Sequence, residues 1–371
     1  MRIAINTLAM KRELHGVGSY VKNLVSALSK IDQENEYLLF ATAENVCHLS
    51  GLGNNFQIEF APASRILRLP WEQSVLPIRL KKRGVDVYHG PTSVAPFVKT
   101  CRQVVSIHDM TFHLVPGRHS LHKLVYFRTM IPAMIRQSDM LIAISECTKR
   151  DLLRFVATDE SKIKVVHHGV ETRFQPVLEK IQLDRVRERY GLARKFILYV
   201  GLIEPRKNLE NLVDAYAGSD LCGELDLVLA GNLGWDYSRL LARIRNSGLR
   251  EKICLPGYIA DSDLPALYSL AEIFVYPSVY EGFGLPVLEA MACGAPIVTS
   301  AVSSLPELAG DTAILVNPHD SRALAAALQT LWGDDALRRS LSERARLRSQ
   351  FFTWEHTAAN TLDVYRKTAG Q

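Results

Sequence analysis

The 371-residue sequence contains no uninterrupted apolar run of 18 residues, although 47% of its residues are hydrophobic. A helix needs about that many apolar residues to span a bilayer, so no transmembrane segment is expected. The first ten residues, MRIAINTLAM, are too short and too early for a secretory signal and are typical of a first strand. These absences predict a cytoplasmic protein of ordinary globular composition.

Cysteine is sparse, and no Cys-x-x-Cys pair occurs among the six, at positions 47, 101, 147, 222, 254 and 293. Reduced thiols in an intracellular protein explain this pattern best. No set of His, Asp and Glu has metal-ligand spacing, and His167-His168 is interpreted as part of a hinge loop. The sequence Asp261-Ser262-Asp263 has the form of a metal-binding DxD motif, but it precedes a predicted helix and is interpreted as its cap. We therefore predict no metal ion and, since nucleic-acid-binding motifs are also lacking, no nucleic-acid partner.

Charge is divided unevenly along the chain. Residues 1–180 carry 24 Lys+Arg and 16 Asp+Glu, net +8, whereas residues 181–371 carry 20 and 23, net −3. A basic half beside a slightly acidic one indicates that the first half meets something anionic, such as a membrane surface or a phosphorylated acceptor. The stretch WEQSVLPIRLKKR, residues 71–83, is amphipathic and ends in four charges among five residues. It is predicted either to lie on a membrane or to pack within its domain.

Short apolar runs alternate with helical patterns along almost the whole chain, which is typical of βαβ units and parallel sheets. The predicted strands are Ile3–Asn6, Tyr37–Ala41, Val85–His89, Gln103–His108, Met140–Ile144, Ile163–Val166, Phe196–Val200, Leu225–Ala230, Lys252–Leu255, Ile273–Tyr276, Pro296–Thr299 and Ala313–Val316. Two such series predict two doubly wound, Rossmann-like α/β domains, residues 1–176 and 177–352. Residues 353–371 are predicted to form a helix that packs back on the first domain. In such domains ligands lie beyond the carboxyl ends of strands, so a ligand is expected in a cleft between the two.

The stretch YEGFGLPVLEAMACGAP, residues 280–296, places two carboxylates among apolar and small residues. Its glycines allow a ligand to approach the backbone, and Pro286 fits the first turn of a helix that opens near residue 284. The start of that helix would suit a phosphate group. If buried and unpaired, Glu289 would cost several kcal/mol, so a partner such as a sugar diol is expected, with Glu281 at the other end of the ligand. The alternative is an acid that only complements the helix dipole.

Three further segments follow predicted strands. Arg206-Lys207 suits a diphosphate, although a solvated loop pair is the alternative, and Asn208 is predicted to cap the helix that follows. His108-Asp109 ends a strand, where His108 is either structural or a ligand contact and Asp109 could orient its ring through Nδ1. The sequence His15-Gly16-Val17-Gly18 is a weak dinucleotide fingerprint, because the third glycine is absent, and a tight turn is the alternative.

The segment Glu281-Gly-Phe-Gly-Leu-Pro-Val-Leu-Glu289 resembles the paired-glutamate motif of the retaining family 4 glycosyltransferases, which have the two-domain GT-B fold. The resemblance covers most of the chain and includes GVGSYVKNL, PWEQSVLP, HD at 108–109, VGLIEPRKNLENLVDAY, LVLAGNLGW, LPGYIADSDLPALYSLA and FTWEHTA. It implies that Glu289 binds the ribose hydroxyls of a sugar nucleotide, and that Glu281 contacts the transferred sugar.

By the same resemblance Lys207 holds the donor pyrophosphate and His108 contacts the transferred sugar. The family often has an arginine directly after the glycine of this strand, whereas Gly201 is followed by Leu202 here, so Arg206 is expected to take over that task. Glu281, His108, Arg206 and Lys207 are therefore the catalytic candidates. The remaining donor-binding candidates are Gly16, Gly18, Gly201, Gly231, Tyr258, Gly282, Phe283, Gly284, Leu285 and Glu289.

The resemblance implies a retaining hexosyltransferase that needs no cofactor besides its nucleotide-sugar substrate. The RKN and PWEQ segments resemble bacterial mannosyltransferases of O-antigen and exopolysaccharide synthesis, which favours GDP-mannose as donor. The acceptor is expected to be lipid-linked or a saccharide, and the basic N-terminal half is expected to contact the inner face of the cytoplasmic membrane. Alternatives are a UDP-, ADP- or dTDP-sugar donor, a sugar-nucleotide epimerase of the same fold, or a non-catalytic GT-B subunit. The paired glutamates with Lys207 argue against the last.

Overall fold

The computed structural model of the chain describes residues 1–12, 14, 16–114 and 121–371, and only the backbone at residues 65 and 121–127. It divides into an N-terminal unit, residues 1–169 and 353–371, and a C-terminal unit, residues 170–352. The chain thus passes from the N-terminal to the C-terminal unit after residue 169, earlier than the predicted domain boundary at residue 176. The reason is local: the Val170 N–H donates to the Phe352 carbonyl (2.9 Å), and Arg173 donates to the Asp261 carbonyl (2.7 Å), so this segment belongs to the C-terminal unit.

The N-terminal unit is built on a parallel sheet of seven strands in the order β3-β2-β1-β4-β5-β6-β7. These strands are β1 Arg2–Asn6, β2 Glu36–Ala41, β3 Phe56–Phe60, β4 Val87–Gly90, β5 Arg102–Ile107, β6 Met140–Ala143 and β7 Ile163–Val165. Its helices are α1 Val17–Ile31, α2 Arg65–Lys82, α3 Thr111–Leu114, α4 Leu121–Gln137, α5 Glu146–Phe155 and, after the second unit, α14 Trp354–Ala369.

The C-terminal unit has a parallel sheet of six strands in the order β10-β9-β8-β11-β12-β13. The strands are β8 Phe196–Val200, β9 Asp226–Ala230, β10 Ile253–Gly257, β11 Ile273–Tyr276, β12 Ile297–Ser300 and β13 Ile314–Val316. The helices are α6 Lys180–Tyr190, α7 Leu209–Ala217, α8 Ser238–Asn246, α9 Leu264–Leu270, α10 Leu285–Ala292, α11 Leu305–Ala309, α12 Ser321–Gly333 and α13 Asp335–Ser349. Both sheets have the doubly wound order that the alternation of strands and helices predicts.

Each face of the N-terminal sheet has its own apolar core, because successive side chains of a strand point to opposite faces. On one face Ile3 and Ile5 of β1 join the buried side of α1 and residues of α14, including Trp354 and Leu362. On the other face Ala4 joins buried residues of α2, α4 and α5. The C-terminal helix is therefore part of the core of the N-terminal unit.

One strand, β3, is missing from the sequence-based prediction. It lies at the edge of the sheet and, among the described strands, pairs only with β2. Its side chains are mostly exposed, and Phe60 has 58% of its surface accessible. A short edge strand that alternates apolar residues with Gln57 and Glu59 lacks the apolar run of a central strand, so its pattern is easily passed over.

The glycines that end β8, β9 and β10 bring three backbones unusually close. The Gly201 N–H donates to Ala230 O (2.9 Å), and the Gly231 N–H donates to Gly257 O (2.8 Å). A Cβ atom on Gly231 would lie 2.0 Å from Gly201 O, and the φ angle of Gly231 is 140°. Position 231 therefore accepts glycine alone.

Replacing Gly231 by alanine should lower the free energy of unfolding of the C-terminal unit by about 3 kcal/mol or more, because it adds both overlap and backbone strain. Urea unfolding measures this loss. Gly223→Ala is the matched control, since a Cβ at Gly223 meets no atom within 4 Å. The control should change stability by less than about 0.5 kcal/mol. Similar unfolding midpoints for the two variants would contradict the close approach of the strand ends.

Candidate active site

The C-terminal unit gathers its candidate residues at the carboxyl edge of its sheet. Strands β8, β11 and β12 are neighbours and run parallel, so the loops that follow them emerge together. Arg206 and Lys207 lie in a short 3₁₀ turn after β8, and Glu281 lies in the loop after β11. The arrangement places two cations and a carboxylate where a parallel α/β sheet binds its ligands.

Glu281 is the centre of this cluster. Its Oε1 accepts hydrogen bonds from Lys207 Nζ (2.6 Å) and Ser278 Oγ (2.5 Å), and forms an ion pair with Arg206 NH1 (2.7 Å). Only 8% of the residue is exposed. Burial alone would raise the pKa of the Glu281 carboxyl, but Lys207 and Arg206 lower it to about 2. Glu281 is therefore ionised at every physiological pH.

The two cations are held by further polar groups. Lys207 Nζ also donates to the Tyr276 hydroxyl (2.5 Å), and burial lowers the pKa of Lys207 while Glu281 counteracts the effect. Arg206 pairs with Glu204 (2.9 Å) as well as Glu281. Burial opposes its charge, but these carboxylates raise the pKa of Arg206 above its ordinary value. Two cations and two carboxylates thus form a compact, charge-balanced group.

Helix α10 begins at Leu285, as the sequence predicts, and Gly284 precedes it with a φ angle of 106°. A Cβ on Gly284 would lie 2.8 Å from a methyl of Leu305. The loop before the helix is held by Ser304, whose hydroxyl oxygen lies within hydrogen-bond distance of the Glu281 carbonyl oxygen (3.0 Å) and the Phe283 carbonyl oxygen (2.9 Å) and shares its one proton between them. The buried Phe283 and the partly buried Gly282 therefore sit in a fixed loop.

Glu289 lies in the second turn of α10 and is partly buried. Its Oε2 accepts a hydrogen bond from the Tyr268 hydroxyl (2.8 Å), the one donor to this carboxylate among the described residues. Burial raises the pKa of Glu289 to about 7, while Tyr268 and Arg173 act in the opposite direction. The carboxylate keeps acceptor capacity for a further partner such as a diol.

The strand-end candidates Gly201 and Gly231 belong to the close backbone approach described above. Tyr258 follows β10, is 46% exposed, and donates its hydroxyl to Asp261 Oδ1 (3.2 Å). The proposed cap by Asp263 is not formed: its Oδ2 instead accepts from Arg189 NH1 and the Tyr190 hydroxyl, both at 2.9 Å.

The side chain of Asn208, which the sequence predicted as a helix cap, makes other contacts instead. It has a left-handed backbone, makes no side-chain cap, and donates to the carbonyls of Pro277 (3.2 Å) and Pro318 (2.5 Å). Asn208 thereby ties the loop after β8 to the loop after β11.

Three candidates lie in the N-terminal unit. Gly16 precedes α1 with a φ angle of 50°, Gly18 lies within the helix, and His15 falls outside the described residues. His108 follows β5, and its Nε2 lies 2.8 Å from the Pro91 carbonyl oxygen. Because a carbonyl can only accept, Nε2 carries the proton. Burial lowers the pKa of His108, so the ring is neutral.

Asp109 does not orient the His108 ring through a hydrogen bond to Nδ1, as the sequence suggested. Its Oδ1 accepts from the Thr111 N–H (2.9 Å) and hydroxyl (2.6 Å), which starts the short helix α3. His168, read as a hinge-loop residue, is buried and stacks on Tyr20 with ring centroids 4.7 Å apart.

The side chains that hold the candidates in place were missed by sequence reasoning. Tyr268, Tyr276 and Ser304 contact them from other elements, and Ser278 and Glu204 contact them from positions two or three residues away in the same loops. Tyr268 and Tyr276 have the pattern of ordinary core residues, and nothing in their local sequence indicates a partner. Within the described part of the chain, no three His, Cys, Asp or Glu side chains gather as a metal site. No helix there combines the length and apolar character needed to cross a bilayer.

Comparison with known proteins agrees with this architecture. Residues 182–348 match the family described as glycosyl transferases group 1, and residues 14–174 match glycosyltransferase family 4. The O-antigen chain mannosyltransferase B of Escherichia coli is 30% identical over 99% of this chain and 100% of its own length. The serotype-specific mannosyltransferase WbdA of Escherichia coli is 34% identical over 63% of this chain, which corresponds to 29% of that longer protein.

Solved structures show the same fold. Sucrose-phosphate synthase from Thermosynechococcus elongatus superposes with a TM-score of 0.79 at 24% identity, over 99% of this chain and 98% of that one. HepE of Anabaena, in complex with UDP and glucose, superposes with a TM-score of 0.76 at 19% identity over 98% of both chains. The two Rossmann-like units and the charged cluster at a strand edge define a GT-B glycosyltransferase. The chain belongs to glycosyltransferase family 4.

The ion cluster predicts a non-additive mutational cycle. Glu281→Gln should cost about 3 kcal/mol of unfolding free energy, because two buried cations lose a shared carboxylate. In the double variant Glu281→Gln/Lys207→Met the loss should be smaller than the sum of the two single losses by about 1 kcal/mol or more. Urea unfolding of Glu281→Gln, of Lys207→Met and of the double variant measures these losses.

The control is Glu272→Gln, which removes the partly exposed ion pair with Lys195 (3.1 Å). Its effect should stay below about 1 kcal/mol. Strict additivity of the cycle, or equal losses for Glu281→Gln and Glu272→Gln, would contradict a buried, mutually dependent cluster.

Proposed function

We propose that the protein transfers mannose from GDP-mannose, with retention of anomeric configuration, to a saccharide or lipid-linked acceptor in bacterial surface polysaccharide synthesis. The observation that carries the proposal is the paired carboxylates Glu281 and Glu289 on either side of a helix start, with Lys207 and Arg206 adjoining Glu281. The two Escherichia coli relatives, both described as mannosyltransferases of O-antigen or serotype specificity, support the sugar and the pathway class.

In this proposal each part of the donor meets a group of matching chemistry. The ribose hydroxyls donate to the Glu289 carboxylate. The diphosphate lies at the start of α10, where the N–H groups and helix dipole favour an anion, and against Lys207 and Arg206. The hydroxyls of the mannose donate to Glu281, in keeping with the role that the family resemblance implies.

The reaction breaks the bond between the anomeric carbon and the diphosphate oxygen, and forms a bond from the acceptor oxygen to the same face of the sugar. The acceptor proton passes to the departing phosphate. Negative charge grows on the diphosphate in the transition state, where Lys207, Arg206 and the helix N–H groups are already in place to stabilise it. Because these groups supply the positive charge, the proposal assigns no step to a metal ion.

A UDP-sugar is the main alternative donor, since the solved Anabaena structure of the same fold holds UDP and glucose. ADP- and dTDP-sugars are further alternatives for the donor. The exposed Tyr258 lies at a strand end where a nucleotide could reach it, but its side chain does not select among bases. Family membership argues against the epimerase alternative.

The raised pKa of Glu289 predicts that donor affinity increases with pH. A protonated carboxyl cannot accept from both hydroxyls of a diol, so the donor should bind the ionised form and lower the pKa of Glu289. Affinity for GDP-mannose should therefore increase about tenfold or more from about pH 5.5 to about pH 8, and level off above the pKa of about 7. Isothermal titration calorimetry at several pH values measures it.

The intact donor is the right ligand because its diphosphate is a diester without an ionisation in this range. Glu289→Gln is the matched variant: it should bind more weakly and without the pH dependence. Identical pH profiles for the wild type and Glu289→Gln would exclude the diol role. If UDP-sugars bound in place of GDP-mannose with the same pH dependence, the proposed donor would be wrong, whereas the proposed role of Glu289 would stand.

The proposal includes contact of the N-terminal unit with an anionic membrane surface through α2. One face of α2 is fixed in the core: Trp71 packs on Phe40 (5.6 Å between centroids), and Glu72 accepts from Asn6 (2.8 Å). Gln73 holds the loop before β5 through the Phe97 N–H (2.9 Å). The segment WEQ thus serves packing, the second of the two alternatives that the sequence left open.

The exposed part of α2 includes several apolar side chains. Ile66, Leu67 and Ile78 expose 85%, 56% and 63% of their surface, and Phe60 and Val98 lie on segments that contact the same helix. The helix ends in a run of cations, Arg79, Lys81 and Lys82, followed by Arg83. Exposed apolar side chains with a basic border suit the interface of an anionic bilayer.

Ile66→Glu/Ile78→Glu should reduce binding to phosphatidylglycerol-containing vesicles about tenfold or more, because the two charges oppose insertion. Co-sedimentation at low and high salt measures this. The control Leu178→Glu/Ile181→Glu changes two equally exposed apolar residues, 88% and 77%, of the C-terminal unit. Membrane contact through α2 is wrong if both double variants bind like the wild type, or if the wild type does not bind these vesicles.

A further inference from the structure

The N-terminal unit contains a buried chain of polar side chains that the proposed reaction does not use. The Tyr20 hydroxyl lies 2.9 Å from Ser106 Oγ, which lies 2.8 Å from His89 Nε2. His89 Nδ1 in turn lies 2.7 Å from the Tyr365 hydroxyl on the C-terminal helix α14. All four residues are fully inaccessible to solvent. The chain connects α1, β5, β4 and α14 through the core.

The ring of Tyr20 lies against the ring of His108. Their centroids are 4.9 Å apart at an angle of 79°, an edge-to-face contact. Tyr20 also stacks with His168 (4.7 Å between ring centroids), and His168 in turn stacks with Trp354 (5.7 Å between ring centroids). Aromatic pairs of this geometry have defined preferred orientations. The orientation of the His108 ring therefore depends on where Tyr20 is held.

The protonation states of these four side chains favour one fixed set of hydrogen bonds among them. Burial lowers the pKa of His89 to about 3, so its ring is neutral and carries one N–H. Burial raises the pKa of Tyr20 and of Tyr365 above the ordinary value, so both hydroxyls keep their protons. A neutral imidazole between two hydroxyl groups can donate on one side and accept on the other, which satisfies each link.

We propose that Tyr20 is a positioning residue for His108. Three contacts define the His108 ring: the hydrogen bond from Nε2 to the Pro91 carbonyl, the edge-to-face contact with Tyr20, and a second edge-to-face contact with His168 (5.6 Å between centroids). The Tyr20 hydroxyl, fixed by Ser106, prevents its ring from turning away. Tyr20 thereby keeps the His108 ring where its Nε2–H reaches the Pro91 carbonyl, and that hydrogen bond fixes the tautomer with Nδ1 as the acceptor. The role in turnover rests on the proposed function, whereas the positioning itself does not.

Tyr20→Phe keeps the ring and removes only the hydroxyl, and Ser106 keeps His89 as its partner. We expect GDP release from GDP-mannose, with water as acceptor, to slow about tenfold to a hundredfold in kcat, because small misplacements of a group that contacts the transferred sugar, the role that the family resemblance implies for His108, have effects of that size. KM for GDP-mannose should stay within about twofold, since Glu289 and Lys207 belong to the other unit. In ¹⁵N-histidine spectra the His108 signal, assigned with His108→Asn, should lose its pure Nε2–H tautomer pattern.

Tyr216→Phe is the matched control, because the Tyr216 hydroxyl is also buried and donates to the Leu225 carbonyl (2.6 Å) in the C-terminal unit. It should lower the unfolding temperature about as much as Tyr20→Phe and leave kcat and the His108 spectrum unchanged. Tyr365→Phe should change the His108 signal in the same direction as Tyr20→Phe, but less.

An unchanged His108 spectrum in a folded Tyr20→Phe variant would overturn the proposal, as would a kcat loss equal to that of Tyr216→Phe. Absence of turnover in the wild type with GDP-mannose would instead count against the proposed donor. In that case the histidine spectra still decide whether Tyr20 positions His108.

Discussion

The C-terminal unit depends on one interaction, the sharing of the buried Glu281 carboxylate by Lys207 and Arg206. The cations come from the loop after β8 and the carboxylate from the loop after β11, so the interaction joins two neighbouring strand ends. Burying any one of these charges alone would cost several kcal/mol, and their mutual attraction offsets that cost only when all are present. The loops therefore adopt one joint arrangement, which Asn208 and Ser304 reinforce through backbone carbonyls.

The two glutamates of the motif have opposite environments, which explains how one sequence pattern can serve two purposes. Glu281 contacts cations that lower its pKa to about 2, whereas Glu289 accepts a hydrogen bond from the neutral Tyr268, and burial raises its pKa to about 7. A carboxylate already paired with cations is a permanent charge. A carboxylate near its titration point has unmet acceptor capacity and favours a ligand that donates hydrogen bonds. The difference arises from partners that are distant in sequence.

The sequence pattern predicted those elements that interactions between residues close in sequence determine. Central strands with apolar runs and the start of α10 after Gly284 were predicted from the sequence. The errors have a common cause: Asn208 and Asp263 look like caps by position, but tertiary partners, Pro318 and Arg189 among them, engage their side chains instead. The edge strand β3 was not predicted, because it pairs with a single described strand, β2, and its side chains are mostly exposed. The supporting tyrosines could not be found, since a buried Tyr has the same pattern whether or not its hydroxyl holds a functional group.

The charge balance of the cluster bears on how a donor would enter and leave. Arg206 and Lys207 are matched by Glu204 and Glu281, so an incoming diphosphate must compete with Glu281 for the two cations. Under the proposed function an intact donor resolves this competition, because its sugar hydroxyls replace the cations as donors to Glu281. Once the sugar has been transferred, the remaining nucleoside diphosphate has no sugar hydroxyl to donate to Glu281. The carboxylate then pairs again with Lys207 and Arg206. The same ion cluster that fixes the loops would therefore favour the complete donor over the spent nucleotide and assist product release.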